Sequence, residues 1–95
     1  QTITTTTNGN PTTYIIYDFT IEYDVCLMSF PNSYMVYGAV YHEYGNTHVM
    51  NNNEFKSARD AFEALKDSAR AQLDEYDAYQ MCELLDELVR RQGAC

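Results

Sequence analysis

The stretch that decides the fold is Tyr14-Ile15-Ile16-Tyr17-Asp18-Phe19-Thr20-Ile21-Glu22-Tyr23-Asp24-Val25-Cys26-Leu27. From Ile15 onward every odd position is apolar or aromatic, while Asp18, Thr20, Glu22, Asp24 and Cys26 fall between them. Period-2 alternation predicts one long, half-buried strand over 15–27 with a polar face. Asp18, Glu22 and Asp24 then share that face, and alternate residues along it stand ~7 Å apart.

Outward from this strand, Ser29-Phe30-Pro31-Asn32-Ser33 carries a Pro-Asn turn. Tyr34–Tyr44 resumes as a strand, almost wholly apolar or aromatic. Gly45-Asn46 then supplies a two-residue hairpin into Thr47–Met50. Residues 1–13 are rich in Thr and Asn and contain little to bury, which predicts a frayed leader or short edge strand. Asn51-Asn52-Asn53 is turn-prone, and Asn51 with Glu54 has capping-box spacing.

Beyond it, Phe55, Ala58, Phe62, Leu65, Ala69 and Leu73 recur at spacings of three and four, an amphipathic stripe. The stripe slips phase at Asp74-Glu75-Tyr76-Asp77 and resumes through Ala78, Met81, Leu85 and Leu88. Asp77 with Gln80 offers a second cap. Two helices, roughly 54–73 and 77–91, are therefore predicted rather than one rod. The expectation is a single α+β domain of three antiparallel strands in a meander followed by two helices packed on one face, β-β-β-α-α.

The chain has 95 residues, 45% of them hydrophobic, and a net charge of −8. That length fits one thin-cored domain. No apolar run approaches the ~20 residues that span a bilayer. The acidity disfavours direct contact with nucleic-acid phosphates or an anionic membrane. Three widely spaced cysteines, Cys26, Cys82 and Cys95, do not make a disulfide framework, which points to the reducing cytoplasm. Cys26 and Cys82 read as small buried hydrophobes, and Cys95 as an exposed thiol.

Chemistry-bearing motifs are sparse. The four glycines are far apart, which excludes a phosphate loop, and no C-x-x-C or H-x-x-x-H pair is present. His42 and His48 flank the hairpin turn and read as surface histidines. Neither metal nor cofactor is expected, and nor is enzyme activity.

The distribution of charge is more telling than its total. Residues 1–53 hold Asp18, Glu22, Asp24 and Glu43 without one Lys or Arg; the first helix is balanced; the last segment carries Glu83, Asp86 and Glu87 among six acids against Arg90 and Arg91. A solvated acidic surface is the plain explanation. Seven tyrosines in the strands, including Tyr37 and Tyr41, favour a sharper one, since two short helices cannot cover them all. Tyr beside carboxylates is a contact surface. It predicts docking on a basic, nucleic-acid-binding protein. The alternative is an antitoxin-like or structural module that pairs through its Tyr-rich sheet with a partner or, as a homodimer, with itself.

In length, acidity, Thr-rich amino-terminal segment and sheet-plus-helix build, the chain as a whole resembles small phage-encoded anti-CRISPR proteins. The resemblance implies a non-enzymatic inhibitor in the host cytoplasm that binds a CRISPR effector and fills its Lys/Arg-lined channel. Asp18, Glu22, Asp24 and Glu43, or Glu83, Asp86 and Glu87, would then stand in for phosphates.

Overall fold

In a computed structural model of the chain, which describes residues 2–19 and 22–93, five strands precede two helices. They are β1 (Thr2–Thr7), β2 (Asn10–Asp18), β3 (Tyr23–Ser29), β4 (Tyr34–His42), β5 (Gly45–Phe55), α1 (Ala58–Gln72) and α2 (Glu75–Gly93). Each strand pairs antiparallel with the next, in the order β1-β2-β3-β4-β5. The α+β class and the two helices stand, and the expected three strands become five.

Two differences account for the extra strands. Within the stretch expected as a frayed leader or short edge strand, Thr2–Thr7 is the edge strand, joined to β2 by a hairpin: Asn8 and Gly9 both take positive φ, 52° and 81°, which suits a tight turn between right-twisted strands. The presumed long strand over 15–27 is two strands folded back on each other. Across β2 and β3, Tyr17 faces Val25 and Ile15 faces Leu27. Odd residues therefore meet odd residues, so the alternation runs through the turn unbroken. Thr20 and Ile21, within that stretch, lie outside the described residues, as does Cys95.

The later boundaries also move. The β4–β5 turn falls at Glu43-Tyr44, with His42 opposite Gly45, two residues earlier than Gly45-Asn46. Asn51–Asn53 continue β5 instead of capping a helix. Ser57 is the cap of α1, and its Oγ accepts from Asp60 N at 3.1 Å. Likewise Asp74, not Asp77, caps α2: its Oδ1 accepts from Asp77 N at 2.8 Å. The two helices separate at Leu73, whose backbone is extended.

Both helices cover one face of the sheet. Val25, Leu27, Val36, Val40 and Val49 meet Phe62, Leu65, Met81, Leu85 and Leu88 there. Leu65 and Leu85 are 0% exposed. Gly38 leaves room for the Met81 side chain, since a Cβ there would stand 3.1 Å from Met81 Cε. Among the described residues, no element covers the opposite face. Among the described residues no helix is long and apolar enough to cross a membrane.

Candidate partner-binding surface

The uncovered face is built by the residues that alternate with the core. From β2 come Tyr14, Ile16 and Asp18; from β3, Asp24, Cys26 and Met28; from β4, Met35, Tyr37, Ala39 and Tyr41; from β5, His48 and Met50. Met50 is 47% exposed, and Ile3 on β1, opposite Tyr14, is 44% exposed. Cys26 and Ala39 are buried even on this open side. A shallow recess of about 150 Å³ is lined by Ile16, Asp24, Cys26, Tyr37 and Tyr41 with their neighbours. Tyr37 and Tyr41 thus share this recess with the small residues Cys26 and Ala39.

The carboxylates do not form the expected single-strand row. Asp18 and Asp24 are direct cross-strand partners on β2 and β3. Phe19 N donates to Tyr23 O, so odd residues make the main-chain bonds between these strands. Asp18 and Asp24 therefore occupy the non-hydrogen-bonded kind of pair, where side chains come closest. Burial pushes the Asp24 carboxyl up; the Tyr41 hydroxyl bonded to it pulls the other way, and Asp18 adds to the rise through a hydrogen bond and its charge. The same bond to Asp24 raises the Tyr41 hydroxyl, with burial adding to it. Tyr37 is pushed up to about 12, chiefly by its hydrogen bond with Cys26 and then by burial.

Glu22 and Glu43 lie apart, at the end of the sheet. With Tyr23, Tyr41, His42, Asp74, Tyr76 and Asp77 they line a concavity of about 670 Å³. Its floor is a bonded trio that the sequence did not disclose. Asp77 is 4% exposed, and it accepts from Tyr23 Oη at 3.0 Å and from His42 Nε2 at 2.9 Å. The Tyr44 ring stacks on His42 at 4.8 Å. His42 and His48 thus lie on opposite faces and do not come together. Among the described residues no group of three or more His, Cys, Asp or Glu side chains fits a metal ion.

Glu83, Asp86 and Glu87, further along α2, lie on the helical layer and have partners there. Asp86 meets Lys66 at 2.5 Å, Glu87 accepts from Arg91 at 3.1 Å, and Glu83 is hydrogen-bonded to Tyr79. These residues are not joined to the sheet face. Cys26 and Cys82 are buried, and burial raises both thiols, so neither is an activated nucleophile. The structure thus brings together Asp18, Asp24, Tyr37 and Tyr41, sets Glu22 and Glu43 at their margin, and separates Glu83, Asp86 and Glu87.

Compared with protein-family models, curated proteins and solved structures, the chain matches none.

Proposed function

We propose that the chain is a non-enzymatic binding protein that docks through the uncovered face of its sheet on a basic, nucleic-acid-handling protein and blocks it. The form implied by its resemblance to anti-CRISPR proteins is inhibition of a CRISPR effector. One observation carries the reading: Tyr37 and Tyr41 share an uncovered face with the Asp18–Asp24 pair, on the half of the chain that has no Lys or Arg. Rigid aromatic area beside carboxylates suits the guanidinium and ammonium groups of a phosphate-binding groove. The test is to add the protein to cleavage reactions of purified CRISPR effectors. Inhibition that weakens as salt is raised is the predicted result. Failure to inhibit any effector, with no salt-sensitive binding to other basic nucleic-acid-handling proteins, contradicts it.

A second reading has its own support. The raised Asp24 carboxyl lowers the charge of the pair, and the same face presents Met28, Met35 and Met50. A partner held by apolar sheet packing fits those residues. Its binding is insensitive to salt, which separates the two readings in one titration.

A further inference from the structure

The sheet has two edges, and they are treated differently. The ladder itself says which main-chain groups each edge presents. Odd residues of β2 bond to β3, because Phe19 N donates to Tyr23 O. Even residues of β2 therefore bond to β1, which engages Ile3 and Thr5 through Tyr14 and Thr12. Thr2, Thr4 and Thr6 are left with their N–H and C=O groups pointing out of the sheet. On the other edge the same counting turns Met50 outward, and there both groups are taken: Met50 N donates to Gln72 Oε1 at 3.1 Å, and Gln72 Nε2 donates to Met50 O at 2.9 Å. A side-chain amide thus occupies the middle of the β5 edge as a strand would. The β1 edge has no such cover among the described residues. It also lacks the usual safeguards of charge, proline or bulge.

We propose that β1 is a self-association edge, and that its occupant is β1 of a second copy of this chain. Charge selects the occupant. Two copies at −8 repel, yet the first 17 residues carry no charged side chain, so this edge is where they approach at least cost. An uncharged edge has no attraction for a basic or acidic segment of another protein. A two-fold axis at Thr4 sets Thr4 against Thr4 and Thr2 against Thr6, and it joins the outward groups in up to about six main-chain bonds. With the middle of the β5 edge taken up at Met50, the assembly closes at two. The pair of six-residue strands falls below the ~1,200 Å² of tight interfaces, so the dimer depends on concentration. This inference is independent of what binds the sheet face.

Sedimentation equilibrium of the full chain up to about 1 mM tests it, with amide exchange at low and high concentration. The weight-average mass should climb from 11.0 kDa toward twice that value, and exchange at Thr2, Thr4 and Thr6 should slow as it does. Thr4→Pro removes one outward N–H without breaking a bond to β2, and Thr4→Glu sets two like charges across the axis; both should stay at the mass of one chain. A parent that remains monomeric throughout overturns the proposal. So does a folded Thr4→Pro or Thr4→Glu that dimerises like the parent, or concentration-dependent protection that spares these three amides.

Discussion

Asp18 and Asp24 stand directly opposite each other across β2 and β3, with Tyr41 bonded to the second of them. Like charges so placed oppose strand pairing. Burial, and after it the facing Asp18, hold a proton on Asp24 to higher pH than an isolated carboxyl would keep it, which eases that opposition.

That arrangement has a pH signature. Asp24 binds its proton more tightly in the folded chain than in the unfolded one, so its contribution is fully present below the ordinary value of 3.8 and is lost as pH rises through the raised folded value. Asp24→Asn removes this loss while still accepting from Tyr41. The variant should be more stable than the parent at neutral pH, and the difference should shrink toward pH ~3. Urea denaturation of both proteins across that range measures it.

At the acidic end of the sheet, the buried Asp77 depends on its two donors. Tyr23→Phe or His42→Ala leaves that carboxylate short of a partner and should cost about 1–3 kcal/mol. Tyr44 is 84% exposed and only stacks on His42, so Tyr44→Ala should change stability by no more than about 0.5 kcal/mol. Equal losses at all three positions in chemical denaturation would count against this network.

Leu65 and Leu85 close the core from the two helices, and truncating either to Ala should cost about 2–5 kcal/mol. Thermal melts within a degree or two of the parent would mean that neither side chain fills the core.

Thr12 offers the opposite sign. It is fully buried, and among the described residues its Oγ1 has no hydrogen-bond partner. Thr12→Val removes that polar atom at nearly constant shape and should raise stability by about 1–2 kcal/mol. A loss on chemical denaturation would show that the hydroxyl is satisfied.

The helices were legible in the sequence because their stripe has one period and a visible phase slip at Asp74–Asp77. The β2–β3 turn was not. Its register pairs odd with odd, and no Gly, Pro or Asn marks 19–22, so folding back leaves the period-2 pattern unchanged. The β1–β2 hairpin did leave a signal: Asn8-Gly9 is the dipeptide that a two-residue turn with positive φ requires, set among threonines whose polarity masked the strands. At the candidate site, alternation correctly put Asp18 and Asp24 on one polar face, but it set them along a strand rather than across two. The Tyr23–His42–Asp77 trio joins residues 35 and 54 positions apart, a distance no local pattern spans.

In the proposed function the uncovered sheet face, not α2, meets the partner. The most direct test is the affinity for the inhibited or captured partner, measured by calorimetry at two salt concentrations, with folding of every variant verified by circular dichroism. Asp18→Lys and Tyr41→Ala should each weaken binding about tenfold or more, and the salt dependence should flatten in Asp18→Lys. The Glu83→Lys/Glu87→Lys double variant should bind like the parent. Parental affinity in both face variants, with loss in the α2 variant, would place the contact on α2 instead.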